Sequence, residues 1–381
     1  MKGLMNMKNK LLSHMNIPCL TGLSKEIIFR STSPRLLCLK IDTSSTQSRK
    51  ENNNLVNTLT VMGVDINLVR KRQPGVLRKK TTKENDLKNF LHAKGFCNED
   101  IASIITRYPR CITRSHNSLQ KRWEIWQKVL MTDSDIAKIL ERSPENFFRS
   151  GNNKNMMENI AYFLSLGLTF NALAKMLTII PRAFSSTVEL NKQMVSLLWQ
   201  VYVDVGGENP ADFVKQIISK NALILTRSRK QVTANIQLLK SDLNLENEQL
   251  RMRLCGQGGD ILHLSNEYLK KNLTNIKNKL LSHGCTEADV ITFVSKNIRV
   301  LYTSADKMND KIDILLQAKI NVHQILKSSL VINRSNTTIS SRIDALRKLG
   351  YDFETQTVGI LELSKARFEA RLKKMQHNAN E

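Results

Sequence analysis

No two of the six cysteines (Cys19, Cys38, Cys97, Cys111, Cys255, Cys285) form a C-x-x-C pair. That removes the spacing of a zinc knuckle or a dithiol redox motif. Scattered single thiols suit a reducing compartment, where they pack as small apolar side chains. The seven histidines make no H-x-x-x-H or H-E-x-x-H pair, so no metal set is expected. The glycine-rich GQGG at Gly256–Gly259 lacks the spacing of a phosphate loop and reads as a turn, and Asp260 beside it has no acidic partner in sequence. With no catalytic constellation, metal site or cofactor motif, an enzyme is not expected. No apolar run approaches the roughly 18 residues needed to cross a bilayer, so a membrane partner is not expected either. Strand-like alternation is almost absent.

Acidic residues are scarce at the N-terminus: Glu26 alone among Met1 to Lys40, against seven basic residues with short apolar patches between them. Residues 1–50 therefore read as a mitochondrial transit peptide followed by a polar linker. They hold nine Lys/Arg and two Asp/Glu, a surplus of seven, so +17 of the formal +24 belongs to the rest of the 381-residue chain. A positive surplus of that size suits a polyanionic partner, since Lys and Arg beside phosphates release condensed counterions.

The remaining chain repeats. Pro74, Pro109, Pro144 and Pro181 are spaced by 35, 35 and 37 residues. Taking each proline as position zero, apolar pairs follow at +2 and +3: Val76 and Leu77, Cys111 and Ile112, Ala183 and Phe184. The Pro144 unit keeps only Phe147. The phase continues through Ala222, Gly259, Ile298 and Ser329, giving eight anchors 31–41 residues apart. Upstream of the anchors, apolar residues fall at i, i+3, i+4, as in Ile101, Ile104 and Ile105, which is helical spacing. A break, often with glycine (Gly95, Gly167, Gly284, Gly350), precedes that helix, and another helix precedes the break. Each unit thus reads as helix, tight turn, helix, closing turn, with proline at a first helical position. One such pair cannot bury its apolar face, whereas stacked pairs can. The expected fold is all-α, a solenoid of about eight units over 55–360 followed by a basic helix and tail over 361–381. Trp123 and Trp126 have helical spacing and read as core. The tetratricopeptide and pentatricopeptide patterns are missing.

Basic residues keep step with the repeat. Position +5 holds Lys79, Arg114, Arg149, Arg227 and Arg334, position +1 holds Arg110, Arg182 and Arg299, and position −2 holds Arg107 and Arg142. A fixed repeat position maps to a fixed face, so these residues predict a basic stripe suited to a phosphate backbone. Lys79, Arg107, Arg110, Arg114, Arg227, Arg299 and Arg334 are the expected phosphate contacts. Eight layers about 8–10 Å apart would cover roughly 20 base pairs.

The segments MGVDINLVRKRQPGV (Met62 to Val76), IASIITRYPRCITR (Ile101 to Arg114), ILERSPENFFRS (Ile139 to Ser150), LNKQMV (Leu190 to Val195), NPADFV (Asn209 to Val214), LHLSNEY (Leu262 to Tyr268), GCTEADV (Gly284 to Val290) and RFEARLKK (Arg367 to Lys374) resemble the mitochondrial transcription termination factor (mTERF) family, its founding member above all. The resemblance implies a left-handed superhelix wrapped on double-stranded DNA in the mitochondrial matrix or nucleoid, acting as a monomer without cofactors. It implies termination downstream of the ribosomal RNA genes within a leucine-tRNA gene, with unwinding and base eversion. Carried over by motif, base-reading or eversion-supporting arginines fall on Arg142, Arg149, Arg182 and Arg367, and a stacking aromatic falls on Tyr268. Three positions depart from the pattern: Leu223 stands for a stacking Phe, and Gln231 and Leu330 stand for arginines. Other members of the family imply an alternative, an RNA-binding factor in ribosome assembly. A protein-interaction scaffold is a third reading, disfavoured by the phased arginines.

Overall fold

The computed structural model describes residues 50–130, 132–149, 153–256 and 258–379. The expected targeting leader lies outside these residues. Among the described residues there are helices and no strand, as the periodicity predicts.

The first helices of successive units are Asn53–Val61, Glu84–His92, His116–Leu130, Lys154–Ser165, Val188–Asp204, Arg229–Ser241, Asn266–Leu281, Ala305–Gln317 and Asn336–Arg347. The second helices are Ile66–Arg72, Asn98–Arg107, Asp133–Arg142, Phe170–Ile179, Pro210–Lys220, Asn247–Cys255, Glu287–Lys296 and Val322–Lys327. Each unit closes in one short helical turn: Pro74–Val76, Pro109–Thr113, Pro144–Phe148, Pro181–Ser185, Ala222–Thr226, Gly258–His263, Ile298–Tyr302, Ser329–Asn333 and Val358–Glu362. The last of these belongs to a ninth unit that the anchor spacing did not reveal. It has no second helix, and a short turn takes that place. A truncated unit lacks the apolar i, i+3, i+4 run by which the others are found.

The break between the two helices needs one residue of left-handed backbone. Six units supply glycine there, with φ between 71° at Gly350 and 91° at Gly95, and Asn244 and Lys319 take the corresponding place in two others. At Gly95 the next N–H, of Phe96, bonds back to the Leu91 carbonyl at 3.1 Å, which satisfies an end carbonyl of the helix and reverses the chain. N-caps start the second helices: Asp65, Thr132, Thr169, Asn209, Thr286 and Asn321 each accept a backbone N–H three residues on, worth about 1 kcal/mol apiece.

The apolar residues at +2 and +3 are the floor of the core. Leu77, Cys111, Ile112, Phe147, Phe184, Ile224, Ile261, Leu262, Val300, Leu301, Val331 and Ile332 are all buried, and Trp123 and Trp126 join them. In six units the carbonyl at +3 is held by a side-chain donor from the first helix of the same unit. Arg122 Nη1 donates to Phe147 O, Asn159 Nδ2 to Phe184 O at 3.3 Å, Asn235 Nδ2 to Leu262 O at 3.2 Å and Asn272 Nδ2 to Leu301 O at 2.8 Å. Lys311 Nζ reaches Ile332 O at 2.6 Å, and Arg342 Nη1 reaches Leu361 O at 2.8 Å. None of these six side chains is more than 8% exposed. In the first two units the backbone N–H groups of Asn52 and Lys83 do the same for Leu77 and Ile112. Leaving such a carbonyl unsatisfied would cost about 1–3 kcal/mol, so in these six units one polar residue in an otherwise apolar helix face locks the closing turn.

Candidate nucleic-acid interface

From Pro144–Phe148 to Val358–Glu362 each closing turn touches the next. The turns therefore form a continuous row, and the residues at 0 to +5 of the third to ninth units share that row. Its basic residues are Arg149, Arg182, Arg227, Arg299 and Arg334, preceded by Arg78, Lys79, Arg110 and Arg114 in the first two units. Its acidic residues are Glu145, Asp260 and Glu362. The phase in the sequence thus places basic residues on five of the seven turns of the row, with acids alone at Gly258–His263 and Val358–Glu362.

The expected contacts divide into two groups. Lys79 and Arg110 are exposed in the first two units, Arg149, Arg182, Arg227 and Arg299 are exposed along the row, and Arg367 is exposed on the terminal helix Lys365–Ala379. Arg107, Arg114, Arg142 and Arg334 are tied to backbone carbonyls of the next unit. Arg107 Nη1 donates to Arg142 O at 3.5 Å and Arg114 Nη2 to Arg149 O at 3.2 Å. Arg142 Nη2 donates to Thr178 O, and Arg334 Nη2 to Glu362 O and to Leu363 O, the latter at 3.0 Å. The −2 arginines form a ladder, because Arg72 in the first unit likewise reaches Arg107 O at 2.9 Å. The acceptors lie at the C-terminal ends of second helices, where free carbonyls and the helix dipole favour a cation. The −2 position thus carries a structural task. Arg72 shares the position, and the phase alone could have included it.

Tyr268 is half-buried, and its hydroxyl donates to Tyr302 O at 2.9 Å. Beside it the Tyr302 hydroxyl donates to Asp260 O at 2.7 Å and lies 3.2 Å from His263 Nδ1, which also faces the Asn221 amide at 2.8 Å. This polar cluster joins three consecutive closing turns at the middle of the row. Burial pushes the His263 pKa below the ordinary value, and the Arg227 charge pushes it the same way.

The departing positions have distinct environments. Leu223 is half-buried against the core. Leu330 is 50% exposed on the row. Gln231 Nε2 donates to Leu264 O at 2.6 Å, so it fastens its helix to the adjacent turn instead of presenting a cation. The Gly256–Gly259 segment leads into the closing turn Gly258–His263, as the sequence suggested.

The sequence reading missed the basic residues behind the row, Arg122, Lys311 and Arg342. Their signal was present as one charged residue on an apolar helix face, in phase with Asn159, Asn235 and Asn272. Among the described residues no group of His, Cys, Asp and Glu is placed to hold a metal ion, and no helix is long and apolar enough to cross a membrane.

Comparison with known proteins gives the same outline. The mTERF family model matches residues 56–369. "Transcription termination factor 1, mitochondrial" of Homo sapiens is 46% identical over 356 residues, 93% of this chain and 89% of its own length. The protein of that name in Rattus norvegicus is 48% identical, covering 85% of this chain and 87% of its own. "Transcription termination factor 2, mitochondrial" of Homo sapiens is 29% identical over 90% of this chain and 88% of its own.

Proposed function

We propose, since this chain belongs to the mTERF family, that it is a mitochondrial, sequence-specific duplex-DNA-binding protein that terminates transcription. The observation that carries the reading is the continuous row of closing turns with arginine and lysine in phase along it. In this reading the protein acts as a monomer in the matrix nucleoid, at a site within a leucine-tRNA gene downstream of the ribosomal RNA genes. It binds by charge and shape and carries no catalytic group. Exposed Arg149, Arg182 and Arg367 reach base edges or support everted bases, Arg142 leaves the Thr178 carbonyl to do so, and Tyr268 receives an everted base. Lys79, Arg110, Arg227 and Arg299 contact phosphates directly, joined by Arg107, Arg114 and Arg334 once these leave their carbonyls. Arginine is suited to both tasks, because its planar fork matches phosphate oxygens and the O6/N7 edge of guanine. The names of the relatives point the same way, being those of mitochondrial transcription termination factors.

The test is competition. A labelled duplex of the leucine-tRNA gene should be displaced by the same unlabelled duplex far better than by its RNA copy or a random duplex. Preferential displacement by the RNA copy would instead favour an RNA-binding role in ribosome assembly.

A further inference from the structure

At the two ends of the continuous row the same arrangement of two arginines recurs. At the C-terminal end Arg334, the +5 residue of the eighth unit, and Arg342, on the first helix of the ninth, share one acceptor. Arg334 Nη2 lies 3.0 Å and Arg342 Nη1 2.7 Å from Leu363 O. Arg342 also holds Leu361 O at 2.8 Å, and its guanidinium lies 4.5 Å from the centre of the Phe368 ring. At the other end Arg114, the +5 residue of the second unit, and Arg122, on the first helix of the third, converge on one turn. Arg114 Nη2 donates to Arg149 O at 3.2 Å and Arg122 Nη1 donates to Phe147 O. The four remaining side chains at the turn-locking position of a first helix are Asn159, Asn235, Asn272 and Lys311. Only at the two ends does an arginine there meet an arginine at +5.

Two guanidinium groups brought together on neutral carbonyls concentrate positive charge. Burial pushes the Arg122 pKa down to about 10 and the Arg114 charge pushes the same way. Burial and then the Arg334 charge act likewise on Arg342, opposed by Glu369. Neither nearby carboxyl group is hydrogen-bonded to the pair: Glu362 Oε1 accepts the Leu330 N–H at 3.1 Å while feeling the Arg334 charge, and Glu369 pairs with Lys365 at 4.0 Å. Arg114 Nε is shielded from solvent and has no acceptor among the described residues, which a bound anion would supply.

We propose that Arg114 with Arg122, and Arg334 with Arg342, are two matched phosphate-binding sites that grip the DNA backbone at either end of the row. The inference rests on the nucleic-acid reading above. In each pair the outer arginine, at +5, touches the phosphate. The inner one, buried, adds its charge where solvent screens little and acts as a positioning residue. It also holds the closing turn itself: Arg342 keeps a donor on Leu361 O and Leu363 O when Arg334 swings out, and Arg122 keeps its donor on Phe147 O when Arg114 leaves Arg149 O. The closing turns that carry the sites are six steps apart. At about 8–10 Å per helix layer, that spans about 50–60 Å, or on the order of 15–18 base pairs.

The test uses the full chain and random-sequence duplexes of about 12, 16, 20 and 24 base pairs, since phosphate contacts do not depend on sequence. Wild-type affinity should rise in a step of roughly tenfold near 0.1 M salt when the duplex becomes long enough to reach both sites. Arg334→Gln, and separately Arg114→Gln, should remove that step and lower the salt slope by about one, while binding to the shortest duplex persists. Arg342→Gln should weaken the step and Arg342→Lys should restore it, with thermal melting run alongside to show that each variant folds. A step that survives both Arg334→Gln and Arg114→Gln overturns the paired sites and leaves duplex binding standing. Absence of binding at every length would overturn the nucleic-acid reading itself.

Discussion

Arg107 donates to the backbone carbonyl of Arg142, 35 residues on, and Arg72 stands in the same relation to Arg107 itself. With Arg142 on Thr178 O, one sequence position thus fastens four successive units, and its arginines serve the fold before any ligand arrives. Arg107→Ala should lower stability by about 1–2 kcal/mol through a helix-end carbonyl left without its charged donor. Its effect on DNA should be a uniform loss over all sequences. Arg182, which is exposed and whose side chain holds no carbonyl among the described residues, should behave oppositely: Arg182→Ala should leave the melting curve in place and reduce discrimination at a guanine by about 1–3 kcal/mol. Urea unfolding beside binding to specific and random duplexes measures both, and equal losses on the two duplexes for Arg182→Ala would reassign that residue to the backbone.

The hydrogen bond from the Tyr268 hydroxyl allows its structural task to be separated from the proposed stacking. Tyr268→Phe keeps the π-face and removes the bond to Tyr302 O, so it should cost about 1 kcal/mol of stability and leave base stacking unchanged. Tyr268→Ala should reduce the fluorescence of 2-aminopurine at the everted position and reduce termination more than binding, since stacking returns about 1–3 kcal/mol per base. If Tyr268→Ala leaves that signal unchanged, Tyr268 is a core residue only. Leu223 offers apolar contact without a π-face, and Leu223→Phe should slow dissociation from the specific duplex.

The locking residues of the first helices predict a stability series. Asn272→Ala removes the donor to Leu301 O and Asn235→Ala the donors to Ile261, Leu262 and Leu264 carbonyls. Each should destabilise by about 1–3 kcal/mol. In a linear array the damage stays near its unit, so amide hydrogen exchange should rise first in that unit's closing turn.

His263 predicts a pH dependence. Its folded-state pKa lies below the ordinary value of 6.5, so the unfolded chain takes up the proton more readily. The stability it contributes is fully present above about pH 6.5 and is lost as the pH falls through the depressed folded value. Melting temperature followed from about pH 7.5 to 5 should fall less steeply for His263→Gln than for the wild type.

If the row contacts about six to ten phosphates, affinity should drop by roughly 10³–10⁵ between about 50 and 200 mM salt. A nearly flat dependence measured by filter binding would remove the duplex reading.

Much of this was readable in the linear chain. The spacing of Pro74, Pro109, Pro144 and Pro181 and the apolar pairs after each anchor determined an all-helical repeat, because the residues that must be buried in every closing turn recur with its period. The phase of the arginines determined that one edge would be basic. Tertiary structure alone decided what those arginines hold. The acceptors of Arg107, Arg114, Arg142 and Arg334 are carbonyls some 28–36 residues away, and backbone carbonyls carry no mark in a sequence. The partnership of Arg334 with Arg342 is equally silent there: it depends on how closely one helix layer stacks on the next, which is set by side-chain packing between units and not by spacing within them.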